Sequence, residues 1–261
     1  MKQLQTDPTS KIYIFIAMIV FFAIVILEAI LVLTMNSGHL SYTLDDPYIH
    51  LTLAENILKG HYGINPQEVS APSSSVLWAF ILAPFSKLSF FNYFPLIINT
   101  IAAAFTILII GKIIDVSLII EDSKTKNRVN ALLMILLIPA ANLVGLIFTG
   151  MEHSLQVLTV SMIIYGLIKD VNSGKTNGLL VTGILAAPLI RYENLAISLP
   201  ALLYFFLKDN SQNTFKNKRI AVVLFVIIII LLGGFSLFLL NMGLKPLPTS
   251  IYAKSSVVNT S

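Results

Sequence analysis

Long apolar runs separated by short polar segments dominate the chain from residue 12 to residue 241. The first run, residues 12–34, contains a single charged residue, Glu28. At about 1.5 Å per residue, a helix of this length crosses the roughly 30 Å hydrocarbon core of a bilayer. Lys2 and Lys11 precede the run, which is too long for a signal-peptide core and lacks a small-x-small cleavage site behind it. The pattern therefore predicts an uncleaved first span with a cytoplasmic N-terminus.

Six further apolar runs between residues 93 and 241 predict six further spans. They cover residues 93–116, 130–148, 154–168, 178–190, 195–207 and 220–241. The predicted fold is therefore all-α, a polytopic membrane protein with about seven transmembrane helices in one domain over residues 1–261. We expect residues 35–92 to form an outer loop with juxtamembrane helices. Residues 242–261 are expected to form an outer segment of a chain that continues beyond it.

The short apolar stretch 76–88 decides the topology. If it crossed the bilayer, Lys112, Lys124, Lys126 and Arg128 would lie outside, against the positive-inside rule. If it lies in the outer interface, all but five of the 17 Lys and Arg residues are cytoplasmic. The five exceptions are Lys59, Lys87, Arg191, Lys245 and Lys254. We therefore predict that 76–88 does not cross, with the N-terminus inside and the C-terminus outside.

Composition supports a membrane protein and narrows its chemistry. Hydrophobic residues make up 56% of the 261 and charged residues only 11%, against about a quarter charged in a soluble domain. The net charge of +4 is explained by the cytoplasmic loops, and no basic stripe with interleaved aromatic residues predicts a nucleic-acid partner. The absence of cysteine excludes disulfides, thiol nucleophiles and thiolate-bound metals.

An adjacent carboxylate pair, Asp45 and Asp46, opens the outer loop's first helical segment. Pro47 suits the first helical position, with Asp46 as its N-cap, and Gly60 is expected to end the helix after Lys59. The predicted apolar stripe consists of Tyr48, Leu51, Ala54, Ile57 and Leu58, whereas His50, Glu55, Asn56 and Lys59 face elsewhere. Capping alone could explain Asp46 but not Asp45. Asp45 is therefore the stronger candidate for a general base.

Three more polar clusters, residues 149–153, 191–194 and 247–254, fall on the same predicted face. Arg191 suits a phosphate because its planar guanidinium offers paired donors; the alternative is a snorkelling arginine paired with Glu193. Glu152 is a candidate for binding a sugar hydroxyl or, equally, a solvated turn residue. Lys254 is a second candidate phosphate contact, or simply a surface lysine.

The four histidines, His39, His50, His61 and His153, also fall outside, near carboxylates. No pair has the spacing of a metal site, so we expect no cofactor, with a divalent metal as the alternative. Glu28 lies in the outer half of the first span, where charges usually face a protein interior. We expect it to line the same cleft.

Several of these segments resemble short signatures of the GT-C superfamily, polytopic glycosyltransferases that use polyprenyl-phosphate sugars. The segment DDPYIHLTLAENILKGHYGINPQE resembles that superfamily's first outer loop, and SSSVLW resembles the start of its next interfacial helix. TGMEHSL, RYEN and LPTSIYAK resemble later signatures, in the right order, of arabinofuranosyltransferase-like and mannosyltransferase-like members. The resemblance covers residues 40–254 and identifies the chain as an N-terminal portion.

The resemblance implies transfer of a sugar from a polyprenyl-phosphate donor to an extracytoplasmic glycan, lipid or protein acceptor. It implies Asp45 as the base with Asp46 beside it, and a bacterial or archaeal plasma membrane with the active site on the outer face. The residues expected to bind donor phosphate or sugar are Arg191, Lys254, Glu152, Glu193, Tyr48 and His50. Departures from the pattern at Pro47, Thr52, Glu55, Tyr192 and Asn194 leave the donor's identity open.

Two other functions compete with glycosyl transfer. A secondary transporter would place ionisable residues near the bilayer midplane and often has repeated halves, whereas the polar residues here cluster at the outer ends of the runs. A non-catalytic membrane assembly subunit would need neither aspartate.

Overall fold

The computed structural model describes residues 12–174, 176–208 and 214–252. These ranges contain helices and no strand, which confirms the all-α class. The α-helices are α1 Ile12–Met35, α2 Asp46–Leu58, α3 Trp78–Leu82, α4 Phe94–Ser117, α5 Ser123–Ala140, α6 Leu143–Phe148, α7 His153–Ser173, α8 Gly178–Ile190, α9 Leu195–Leu207 and α10 Thr214–Asn241. Three 3-10 turns, Ala83–Phe85, Phe91–Tyr93 and Tyr192–Asn194, connect them.

Four helical segments are long and apolar enough to cross a membrane: Ile12–Met35, Phe91–Ser117, His153–Ser173 and Asn217–Asn241. The apolar helices α8 and α9 have 13 residues each, or about 20 Å, which is short of a straight crossing. The structure thus supports an integral membrane protein with four candidate spans. The prediction of seven spans is not confirmed.

The predicted span 130–148 is not confirmed as one helix, because two helices cover it. Helix α5 begins earlier, at Ser123, where the Asp122 carboxylate accepts a hydrogen bond from the Thr125 N–H at 2.8 Å. It ends just after Pro139, and Asn142 then adopts a left-handed backbone with φ of 48° before α6 begins. Asparagine is one of the few residues that tolerate this conformation, so the apolar run bends without a glycine.

The stretch 76–88 folds as the five-residue helix α3 followed by a 3-10 turn. Five residues of α-helix extend only about 8 Å, so α3 is far too short to cross a bilayer. This agrees with the prediction that 76–88 does not cross. The side of the membrane on which it lies stays a prediction.

Two apolar clusters hold the longer helices together. The first joins α1, α4, α5 and α6 through buried residues such as Phe21, Ile107 and Met134. The second joins α7, α8, α9 and α10, with Ile184 and Phe205 fully buried. The remaining faces of α1 and α10 expose large apolar side chains, as helices facing lipid do.

Helices α7 and α8 approach so closely that only glycine fits at two points of contact. A Cβ at Gly166 would stand 2.5 Å from the Leu180 Cβ, and one at Gly183 would stand 2.9 Å from the Ile163 Cγ1. Close approach over small residues is a common way for membrane helices to associate. This close contact sets the spacing of the two helices. Glu152 lies at the beginning of α7, and Arg191 lies at the end of α8.

The far end of α7 is fixed by a polar cluster. Asp170 is fully buried, and one of its carboxylate oxygens accepts hydrogen bonds from the Lys208 Nζ at 2.6 Å and the Tyr204 hydroxyl at 2.9 Å. Both partners come from the C-terminal end of α9. Helix α7 is therefore tied to its neighbours by charged contacts near both of its ends.

Replacing Gly166 by alanine tests the close contact between α7 and α8. The added methyl group forces α8 away, so Gly166→Ala should lower the free energy of unfolding by about 1–3 kcal/mol. Gly233→Ala is the matched control, because a Cβ there meets no described atom within 4 Å in the middle of α10. It should be neutral or slightly stabilising. The measurement is thermal unfolding of both purified variants in detergent, and equal shifts would contradict the packing argument.

Single cysteines test the topology, because the chain has none of its own. Gln67→Cys and Ser89→Cys place exposed thiols on either side of 76–88. An impermeant maleimide should label both from the outer side of sealed cells. Glu121→Cys, exposed between α4 and α5, should be labelled only after the membrane is opened. Labelling of Gln67→Cys and Ser89→Cys from opposite sides would show that the segment crosses.

Candidate functional site

A buried ion pair joins the beginning of α7 to the end of α8. The Arg191 Nη1 donates to the Glu152 Oε1 at 3.1 Å, and its Nη2 donates to the Glu193 Oε1 at 3.0 Å. The Glu152 side chain is 0% exposed and that of Arg191 10%, whereas that of Glu193 is 52% exposed. The prediction that Glu152 is a solvated turn residue is therefore wrong. The predicted pairing of Arg191 with Glu193 is confirmed.

Local sequence explains why these groups meet. Glu152 occupies the N-cap position of α7, and Arg191 follows α8 in an extended conformation. Asn194 fixes the turn after Arg191, since its side chain donates back to the Ala187 carbonyl at 2.8 Å and accepts from Gln156 of α7 at 3.0 Å. The two helix ends are thus joined by an amide contact beside the ion pair.

Two histidines complete this cluster. The Arg191 Nη1 lies 3.3 Å from the His153 Nδ1, and because a guanidinium can only donate, that nitrogen is the acceptor. The His50 Nε2 lies 3.9 Å from the Glu152 Oε2. Burial lowers the pKa of His50, Glu152 opposes that shift, and Arg191 and His153 reinforce it. The neutral form of His50 is therefore favoured.

The orientation predicted for α2 is partly wrong. His50 and Asn56, predicted to face away from the apolar stripe, are buried, while Tyr48 and Leu58 of that stripe are exposed. His50 faces inward, where its Nε2 lies 3.9 Å from the Glu152 Oε2, and the Asn56 amide donates to the carbonyl oxygens of residues 63 and 64. The Tyr48 hydroxyl accepts from the Tyr42 N–H at 3.1 Å. The burial of α2 therefore does not follow its simple apolar stripe.

Asp45 and Asp46 are both exposed at the start of α2. Asp45, not Asp46, holds the N-cap position, and its side chain makes no capping hydrogen bond. Capping by Asp46 was therefore the wrong expectation, since Pro47 is the second residue of the helix. Within the described ranges, neither carboxylate has a hydrogen-bond or ion-pair partner.

Direct packing connects the aspartate pair to the ion-pair cluster. Gly150, in the turn before Glu152, has φ of +67°, and a Cβ there would stand 2.8 Å from the Pro47 Cβ. The Thr43 N–H and hydroxyl both donate to the carbonyl at the end of α6, each at 3.3 Å. The start of α2 therefore rests on the turn that carries Glu152.

The segment from Ser73 to Leu77 joins the end of α8 to the start of α3. The N–H groups of residues 76 and 77 both donate to the Leu189 carbonyl at 3.1 Å, two residues before Arg191. The Ser75 hydroxyl accepts from the Trp78 N–H at 3.0 Å and so starts α3. The SSS run was the available signal, but nothing in it indicated its partner.

Three predictions find no support from the arrangement of these groups. Glu28 is half-buried in α1 and has no ion-pair or hydrogen-bond partner among the described residues, so the expected common cleft stays a prediction. Lys254 lies outside the described residues. In the described part of the chain, no three His, Asp or Glu side chains are grouped to hold a metal ion.

No protein-family model, curated protein or solved structure matches this chain. The function proposed below therefore rests on the chemistry of the site and on the short sequence resemblance.

Exchanging each glutamate for glutamine tests which partner of Arg191 matters for stability. Glu152→Gln removes the buried countercharge and should lower the free energy of unfolding by about 3 kcal/mol. Glu193→Gln is the matched control, and because that side chain is half exposed it should cost less than about 1 kcal/mol. Thermal unfolding in detergent measures both. Equal losses would mean that burial does not distinguish the two contacts.

Proposed function

We propose that the chain is a membrane glycosyltransferase that moves a sugar from a polyprenyl-phosphate donor to an extracytoplasmic acceptor. The observation that carries the proposal is the exposed Asp45–Asp46 pair, which has no side-chain partner among the described residues and rests on the turn of a buried Arg191–Glu152 ion pair. Transfer from a sugar phosphate requires a base for the acceptor and a positive charge for the leaving group, and the carboxylate and the guanidinium would supply these.

In the proposed step, the Asp45 carboxylate takes the proton of an acceptor hydroxyl as its oxygen attacks the anomeric carbon. The bond from that carbon to the donor phosphate oxygen breaks, and the lipid phosphate leaves with the electron pair. Attack opposite the leaving group inverts the anomeric configuration. Asp46, exposed beside Asp45, lies at the same opening of the helix.

Arg191 is proposed to stabilise the leaving phosphate by exchanging one of its partners. The Arg191 guanidinium carries five N–H donors. Among the described residues, its Nη1 has two acceptors and its Nη2 has one. The half-exposed Glu193 is the partner that a phosphate displaces, while the fully buried Glu152 keeps the guanidinium in place. Glu152 and His50 are therefore proposed as positioning residues instead of direct sugar contacts.

Charge placement favours an enzyme over a transporter. In the four candidate spans, the charged residues of the described chain lie near the helix ends, with Glu28 as the exception. A transporter that couples an ion to its substrate usually carries ionisable groups near the midplane.

Isosteric replacement of each aspartate tests the proposal in cells. A strain lacking the gene should accumulate a lipid-linked glycan one sugar short, and the parent gene should restore its mass. Asp45→Asn should behave like the deletion, with transfer reduced about 100-fold or more, because it keeps the shape and removes the base. Asp46→Asn is the matched control and should retain a measurable part of the activity. Mass spectrometry of extracted lipid-linked glycans provides the readout.

The other outcomes of this experiment point elsewhere. Full activity in both asparagine variants, present in the membrane at parent levels, would favour an assembly subunit. An unchanged glycan mass in the deletion strain would favour a transporter. Loss of transfer in Asp46→Asn alone would show that Asp46 is the base instead of Asp45.

A further inference from the structure

A polar cavity lies at the opposite end of α2 from the aspartate pair. Its volume is about 380 Å³, and it is lined by Glu55, Leu58, Lys59, Ser86 and Lys87. Twelve or so residues of helix separate Asp46 from this end, a distance of roughly 20 Å. The cavity is therefore separate from the Asp45–Arg191 site.

Its charges favour an anionic occupant. Lys59 and Lys87 are exposed, and neither forms an ion pair with any residue in the described ranges. Glu55 also lines the cavity, yet it lies beyond 4 Å of both ammonium groups. Two ammonium groups beside one cavity repel each other until an anion lies between them. The hydroxyl of Ser86 adds a hydrogen-bond donor on the same wall.

The cavity also lies close to the edge of the membrane. Lys87 is four residues before Phe91, where the second candidate span begins, so even a fully extended chain separates them by less than about 14 Å. Leu58 lines the cavity, Leu88 and Phe90 follow Lys87 in the chain, and all three are more than 40% exposed. Apolar side chains beside paired lysines are typical of a surface that lies among lipid headgroups.

We propose that this cavity binds the headgroup of an anionic phospholipid that carries free hydroxyls. The phosphodiester lies between Lys59 and Lys87, the headgroup hydroxyls donate to the Glu55 carboxylate, and the acyl chains run beside Leu58 and Leu88. A simple phosphate would satisfy the lysines but leave Glu55 facing an anion. Phosphatidylglycerol has the required chemistry. The proposal does not depend on glycosyl transfer.

Quenching of an introduced tryptophan by brominated lipids tests the site. Leu88→Trp places an exposed indole beside Lys87. The chain's single tryptophan, Trp78, is fully buried, and its fluorescence in the parent protein gives the background signal. In vesicles, brominated phosphatidylglycerol should quench the new indole at a concentration on the order of tenfold below that of brominated phosphatidylcholine. Lys59→Gln with Lys87→Gln in the same protein should abolish this preference.

A second pair of lysines controls for total charge. Lys124→Gln with Lys218→Gln removes two exposed lysines from α5 and α10 and should leave the preference unchanged. The proposal fails if phosphatidylglycerol shows no preference, or if both lysine pairs have the same effect. It also fails if inorganic phosphate at millimolar concentration removes the preference, because the cavity would then take a free phosphate without headgroup hydroxyls. Circular dichroism of each variant checks that the helices are retained.

Discussion

The buried contact between Arg191 and Glu152 is the constraint on which this end of the helix bundle depends. It joins the N-terminus of α7 to the C-terminus of α8, and His50 brings α2 into the same cluster. A buried pair adds little net stability compared with apolar packing, but losing one partner leaves a charge that water cannot reach. Glu152 must therefore stay in place whenever Arg191 is there, and the α2 helix that carries the aspartates rests on this arrangement.

The sequence predicted the helical class and several helix limits well. Helices α8 and α9 begin and end where the apolar runs 178–190 and 195–207 do, because an asparagine cap, a charged turn and a lysine interrupt the pattern at these points. The predicted end of α2 at Gly60 holds as well, since that glycine has φ of +77°. Long apolar periodicity and glycine are local signals, and local signals can be read from one chain.

The structural features that the sequence did not predict depend mostly on contacts between distant segments. His50 was predicted to face away from the apolar stripe, yet it is buried near Glu152, a residue far along the chain. No glycine stands at Asn142, where the apolar run 130–148 breaks. The N-cap was predicted one position too late, because Asp45 and Asp46 are the same residue type and only the backbone decides between them. The pairing of residues 76 and 77 with the end of α8 was likewise not visible in the sequence.

The Leu189 carbonyl accepts the N–H groups of residues 76 and 77 just before Arg191. Because both donors share that single oxygen, the loop before α3 and the end of α8 hold each other's position. The placement of the guanidinium two residues further on therefore depends on this backbone contact as well as on its carboxylate partners. A bound molecule that displaced the loop would alter the support of Arg191 without touching its side chain.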